Sequence, residues 1–476
     1  MHLPDGSGCA GAKKGVRKRM GDKRYLKWYN KIGYGSGDLA ANCIYGLLTS
    51  FVLIYLTDTV GLNAGIVGTL IMFSKFADGI TDVFFGNLID KTHTKLGKAR
   101  PWMLWSQIGN CILLVAVFAI PESLGETAKY AYFFITYTLL NAIFYTANNI
   151  AYASLTSLIT KNGNERVQMG SIRFMFSLAT NLTVASVTVG LVGKFGGGAT
   201  GWRTVAFLYA VIALIVNTIS VFSVKELSEE ELTEGVEVTE SEPQEKISFG
   251  ESLKLLIANK YFLMIAAFYI LMYIQTGIAG IGIYYMTYVI GNPAMLGTFS
   301  MAQMLPMVIG LAFTPALVKR FKGMYKVNLY GYVMAGIFRI GFIIGGYLGI
   351  IPLMLISSAL AGLCTSPVTG DINAVISAAS EYTVRTKGKH IEGAMFSCSS
   401  LGIKVGGGLG SAISGMLLEA SGYVPNAAQQ SASTLNMLNF MYLWFPMISI
   451  ILISIIMYNL KVEKANADWD AEHGVR

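Results

Sequence analysis

The feature that most constrains this chain is a succession of apolar runs, each about 20 residues or longer, broken by short polar stretches. A helix of that length matches the roughly 30 Å hydrocarbon core of a bilayer, where every backbone N–H and C=O must be satisfied inside its own segment. Runs at 32–57, 62–89, 101–121, 130–158, 170–193, 204–224, 261–290, 295–318, 326–347, 350–380, 391–418 and 434–460 predict twelve transmembrane helices and an all-α integral membrane fold. Composition agrees. The 476 residues are 53% hydrophobic and 13% charged, against about 25% charged in a soluble domain, and the mean hydropathy is +0.53.

Basic residues set the expected orientation. Of 36 Lys and Arg, 29 fall in the N-terminal segment, the even-to-odd loops and the C-terminal tail, three in the opposite loops (Lys129, Lys194, Arg203) and four inside spans. The positive-inside rule then places both termini in the cytoplasm of a cell (plasma or inner) membrane protein. The net charge of +8 is explained by loops facing anionic lipid, with no nucleic-acid partner required. No short apolar core with a cleavage site precedes the first span, so an uncleaved start is expected, with Met1 and Met20 as equally plausible beginnings.

Intramembrane charges are few and carry the chemistry. On the second span Lys75, Asp78 and Asp82 share one stripe, because at 100° per residue the two aspartates lie about 40° apart and Lys75 about 60° to the other side. A charge at a bilayer centre costs roughly 2.5 to 3.5 kcal/mol on insertion scales, so such groups mark an ion or substrate path. Two carboxylates one turn apart in a low-dielectric site repel, and a proton or a cation neutralises them equally well. The stripe leads into the basic run Asp90 to Trp102, read as a cytoplasmic gate loop through Asp90, Lys98 and Arg100, with Lys75 and Glu381 in the same charge network. The four histidines lie outside the spans and the five cysteines are scattered, which leaves no intramembrane metal site or nucleophile-base pair; no enzyme is expected.

Between the sixth and seventh spans, 225–252 carries nine glutamates up to Glu245 and reads as a solvated linker. The expected organisation is a cytoplasmic tail 1–31, a six-helix bundle 32–224, the acidic linker 225–252, a second six-helix bundle 253–460 and a cytoplasmic tail 461–476. Two six-span halves around a midplane site resemble the major facilitator arrangement, in which rocking of the halves alternates access. The 52 glycines suit close, sliding helix contacts.

Asp78-x-x-x-Asp82, the Asp90-to-Trp102 run, Gly35-Ser-Gly-Asp38 and Lys387-Gly-Lys-His-Ile-Glu-Gly393 together resemble the glycoside-pentoside-hexuronide:cation symporters over roughly Arg24 to Leu460. The resemblance implies uptake of a sugar with Na+ or H+; no cofactor beyond the coupling ion is expected, and the unit is expected to work as a monomer. It implies cation ligands at Asp78, Asp82, Thr81 and Thr146. It places sugar-facing or charged cavity residues at Asp38, Tyr145, Asn149, Ala153, Arg173 and Lys404. The chain also departs from the pattern. The best-known member carries a lysine at the position of Gly37, a carboxylate at Asn149, a tryptophan at Ala153 and an asparagine at Thr81, so its sugar specificity does not transfer. Counting Asp38, Asp78 and Asp82 against Lys75, Arg173 and Lys404 gives zero formal charge, and a bound cation would favour an anionic sugar. A lysolipid symporter and a non-transporting sugar sensor are the alternatives.

Overall fold

The computed structural model describes residues 24–228, 231, 249–389, 395 and 397–474. Their elements are helices in chain order. Helix α1 spans Gly37–Ile54, preceded by Trp28–Gly35, and is followed by α2 (Ala64–Asp90) and α3 (Arg100–Val117). Helix α4 runs through Glu126–Thr138 and Thr146–Ile159, and α5 (Gly163–Lys194) and α6 (Gly198–Ser223) complete the first half. The second half holds α7 (Lys260–Ile278, then Ile281–Tyr285), α8 (Met295–Phe321), α9 (Met324–Leu348), α10 (Ile351–Lys387), α11 (Ser397–Leu401, then Gly407–Ala420) and α12 (Ala432–Asn439, then Phe445–Asn459). Most of the acidic linker and the tail before residue 24 lie outside the described residues.

Ten of these helices are long and apolar enough to cross a membrane. The other two crossings are α3, diluted by Arg100, Gln107 and Asn110, and α4, diluted by Asn141, Asn148 and Asn149. An even number of crossings puts both termini at one end of the bundle, called here the termini end; the opposite one is the loop end.

Five single π-helical turns interrupt the ladder: Tyr55–Thr59 after α1, Leu139–Tyr145 within α4, Met286–Ile290 after α7, Gly402–Gly406 within α11 and Phe440–Trp444 within α12. A π turn inserts one residue, re-aims the side chains that follow, and is found mostly where function demands it. Three of the five, Tyr55–Thr59, Met286–Ile290 and Gly402–Gly406, carry residues that contact the other half.

The halves are joined mainly by α2 against α11 and by α5 against α8, with a smaller contact of α1 against α7. Glycine permits the close approach, at α5–α8 through Gly297, whose added Cβ would sit 2.3 Å from Ser186 Oγ, and at α2–α11 through two more. An added Cβ at Gly68 would sit 2.5 Å from the Ser411 carbonyl oxygen, and one at Gly415 would sit 2.2 Å from that of Ala64. On the other side of α11, Gly402, Gly406 and Gly410 recur every four residues against Tyr269, Ile270 and Ile274 of α7. This is the small-residue stripe that lets membrane helices approach backbone to backbone, and it accounts for the glycine cluster by packing.

Candidate functional site

Two charged clusters stand near the midplane. In the first, Arg173 of α5 reaches Asp38 at the start of α1, with Nε 2.6 Å from Oδ2 and Nη2 3.4 Å from Oδ1. Its guanidinium lies 4.0 Å from the Tyr152 ring centroid, and Nη1 donates to the Tyr34 hydroxyl at 3.4 Å. Forked pairing and stacking together are what a guanidinium offers and an ammonium does not. Tyr34 and Tyr152 lock the cluster, each hydroxyl donating to the other residue's carbonyl oxygen at 2.9 and 2.7 Å. An added Cβ at Gly37 would stand 2.8 Å from the Tyr152 ring, so the space a longer side chain would need is filled by that ring. Neither tyrosine was singled out in the sequence, although Tyr34 lies one turn before Asp38 and Tyr152 three residues after Asn149.

In the second cluster, Asp78 and Asp82 of α2 meet Lys404, which crosses from α11 in the other half. Its Nζ contacts Asp82 Oδ2, lies 3.4 Å from Asp78 Oδ2 and donates to the Asp78 carbonyl oxygen at 2.7 Å. The π turn Gly402–Gly406 aims this side chain, and its stem passes beside Gly79. The Thr146 hydroxyl bonds Asp78 Oδ1, whereas Thr81 turns its hydroxyl back to the Asp78 carbonyl oxygen at 3.1 Å. The lysine beside the carboxylates is therefore Lys404, expected on the sugar side. Lys75 instead donates to the Gly407 carbonyl oxygen at 3.3 Å.

Among the described residues no three His, Cys, Asp or Glu converge. A cation at this position would thus draw on two carboxylates plus neutral oxygens. That donor set fits a hard monovalent ion, and the Lys404 ammonium already occupies such a position.

Tyr145 stacks on Tyr45 of α1 with ring centroids 5.7 Å apart. Asn149 and Ala153 follow one and two turns later on the same stripe, and both are exposed. Tyr45 and Lys75 share a small cavity of about 30 Å³ with Tyr137 and Tyr273 between the halves. An open recess of about 1220 Å³ at the termini end, around Lys27, Lys31 and Gln168, contains neither carboxylate pair.

The expected gate loop is pinned within its own half. Glu226, just past α6, accepts the backbone N–H groups of Lys98, Ala99 and Arg100 at 2.7, 3.0 and 3.0 Å. The buried Arg100 donates through Nε to the Val221 carbonyl oxygen at 2.9 Å, and the side chain of Asp90 lies outside the described ones. Glu381 pairs with Arg385 at 2.9 Å, and Arg385 also grips Asp470 at 2.8 Å.

At the loop end stands a cluster the sequence did not single out. Asp58, in the π turn after α1, accepts hydrogen bonds from Tyr423 at 2.5 Å and Tyr288 at 2.6 Å, both from the other half. Thr57 and Tyr284 share a further hydrogen bond at 2.7 Å, and Asn63 donates to Glu419 at 2.8 Å. The cross-half bonds of Asp58, Thr57 and Asn63 lie at the loop end, and those of Lys75 and Lys404 near the midplane. Toward the termini end α2 parts from the second half, and an added Cβ at Gly86 would meet nothing within 4 Å.

Two helical bundles that meet at a charged midplane and close at the loop end are the arrangement of a major facilitator transporter. Residues 33–464 match the family described as MFS/sugar transport protein, and the chain belongs to it. It is 30% identical over 464 residues to the isoprimeverose transporter of Lactiplantibacillus pentosus, covering 95% of this chain and 93% of that one. It is 28% identical over 420 residues to the symporter YnaJ of Bacillus subtilis (strain 168), covering 87% of each chain. The crystal structure of the nucleoside transporter NupG superposes with a TM-score of 0.61 at 14% identity, covering 91% of this chain and 99% of that one, a likeness of fold. The resemblance to the glycoside-pentoside-hexuronide:cation symporters is borne out.

Proposed function

We propose that the protein is a secondary active importer of a sugar, coupled to Na+ or H+ at Asp78 and Asp82 and working by alternating access. The observation that carries this reading is the ammonium of Lys404, held by one half and lodged between two carboxylates of the other. Three charges of that kind sum to −1, so the site attracts a cation. Lys404 and the coupling ion compete for the same oxygens, with Thr146 supplying a neutral ligand. Because Lys404 belongs to the opposite half, exchanging it for a free cation changes how tightly the halves are held at the midplane.

The sugar reading draws on the family and on the Asp38–Arg173 cluster with Tyr145, Asn149 and Ala153 beside it. A carboxylate and a guanidinium fixed side by side offer acceptor and donors to adjacent hydroxyls, and Tyr45 adds a ring at the cavity between the halves. The distribution of Lys and Arg supports termini in the cytoplasm of the plasma membrane, so the closure at Asp58 faces outward and the conformation is inward-facing. One half-pair surrounds the whole site, which suits a functional monomer. A single cation carried with a neutral sugar gains about 2.3 kcal/mol per 100 mV, enough for about fortyfold accumulation at 1.4 kcal/mol per factor of ten.

Proteoliposome uptake of a radiolabelled sugar panel, with and without a Na+ or H+ gradient, tests the reading. Gradient-dependent accumulation that is lost in Asp82→Asn is expected. Binding without accumulation under either gradient would instead mark a sensor.

A further inference from the structure

The second half contains a buried charge that the transport site does not use. Arg339 of α9 is 7% exposed. Its guanidinium makes no hydrogen bond to a described residue, and Nε is buried without a partner. Its recorded contact is with the face of Phe342, 4.3 Å from the ring centroid. A cation–π contact supplies one face only, while five N–H donors in the fork call for acceptors. A guanidinium does not escape burial by losing its proton, so an unpaired one is costly to retain.

The lack of a protein partner is traceable to the sequence. The helices α7, α8, α9, α10 and α12 hold two acids between them, Asp371 and Glu381, both on α10. Asp371 is bonded by Asn328 at 2.9 Å, and Asn328 lies eleven residues before Arg339 on the same helix, about 16 Å at 1.5 Å per residue. Glu381 is taken by Arg385. Arg339 is therefore surrounded by five helices that offer it no carboxylate.

What it does face is a cavity of about 140 Å³ inside the second bundle, about ten times the space one water needs. Gln275, Ser300, Gln303, Ser358 and Tyr442 line it with Arg339. Tyr442 comes from the fifth π turn, Phe440–Trp444, which aims it between Phe342 and Tyr285. Gln303 and Ala279 on its rim are exposed, so the cavity is open to entry. A buried, unpaired guanidinium flanked by two amides, two hydroxyls and a phenol is a receptor for a planar, forked acceptor that carries negative charge.

We propose that this cavity is a binding subsite for a small carboxylate, with Arg339 as its charge partner and Gln275, Gln303 and Ser358 as neutral donors. The carboxylate comes from one of two sources, the acid group of a transported sugar acid or a free small carboxylate acting on the second bundle. The first deepens the transport reading and rests on it; the second stands without it.

Binding to the purified full-length protein in lipid nanodiscs, measured calorimetrically at fixed ionic strength and fixed Na+, separates these. Acetate serves as the bare carboxylate, glucuronate as a carboxylate on a sugar ring and glucose as the neutral control. The expected result is carboxylate binding that weakens at least tenfold in Arg339→Gln, as for the loss of a hydrogen bond to a charged group, while glucose binding is unchanged. Glucuronate bound but acetate not supports the substrate source; both bound supports the free carboxylate. Gln303→Leu, which leaves the charge in place, is expected to weaken the same ligand severalfold and provides the measurement if Arg339→Gln does not fold. Failure of both acetate and glucuronate to bind, or equal binding in these variants, overturns the proposal. Absence of sugar uptake alongside intact carboxylate binding counts against the transport reading alone.

Discussion

Asp58→Ala removes the carboxylate on which closure of the loop end converges. Two phenols from the other half, Tyr423 and Tyr288, donate to it at 2.5 and 2.6 Å, and their hydroxyl oxygens are 2.9 Å apart. Hydrogen bonds to a charged group are worth about 1.5 to 3 kcal/mol each, so the gross loss is about 3 to 6 kcal/mol. Asp58 is half-buried, and water satisfies the freed phenols once the end opens, so about 2 kcal/mol is a fair net figure. That shifts the equilibrium toward the state open at the loop end by about thirtyfold, at 1.4 kcal/mol per factor of ten. The bonds exist only when the halves meet there, so the substitution changes the balance between states more than the stability of either bundle. A single cysteine at Thr49, which lines the cavity between the halves, reports the change. Its labelling by a membrane-impermeant maleimide applied from the loop side is expected to speed up at least tenfold in Asp58→Ala, and less in Asp58→Asn, which keeps an acceptor. Equal labelling rates in the variant and the parent would refute the reasoning, because they would mean that closure does not depend on this cluster.

Three further outcomes follow from the geometry. Lys404→Gln takes the tethered ammonium out of the carboxylate pair, so the apparent affinity for the coupling cation in uptake assays should tighten about tenfold while turnover falls; unchanged cation dependence counts against competition. Gly415→Ala places a Cβ 2.2 Å from the Ala64 carbonyl oxygen and must push α2 from α11, so it should raise Thr49 labelling in the direction of Asp58→Ala, and unchanged labelling would show that the helices absorb the methyl group. Glu165, outside the spans, has its ionisation opposed by burial, but hydrogen bonds from Thr160, the Leu26 and Tyr25 N–H groups and Lys31 outweigh that and hold its pKa below the ordinary value. A depressed carboxyl pKa contributes stability above the unfolded value near pH 4.3 that is lost as pH falls through the folded one. The melting temperatures of the parent and Glu165→Gln should therefore differ at pH 7 and converge as pH falls below the folded pKa, itself under the unfolded value; a constant difference would assign the effect to packing.

Much of the site was legible because its residues break a local rule. Asp78, Asp82, Arg173 and Lys404 are charges inside apolar runs, and that alone marks them. Arg173 illustrates the limit: near a span end it fits both a lipid-facing and a cavity role in sequence, and only the position of Asp38, 135 residues away, decides. Asp58 broke no rule, since it lies just past an apolar run where acids are ordinary. Tyr288 and Tyr423 are aromatic residues near helix ends, common in any membrane protein.

The sequence by itself determined the class of protein and its all-helical membrane fold, with spans of about twenty residues or more. It could do so because a helix in lipid satisfies its backbone internally, which makes each span a property of its own twenty or so residues. Only the tertiary structure decided the partners: Lys404 and not Lys75 between the carboxylates, Asp58 under two tyrosines, and Arg339 facing a cavity with no acid. Side-chain pairing depends on which helices face one another and at what rotation, and here five π turns and the glycine faces of α2 and α11 set both. Those are relations between segments hundreds of residues apart, and no single segment carries them.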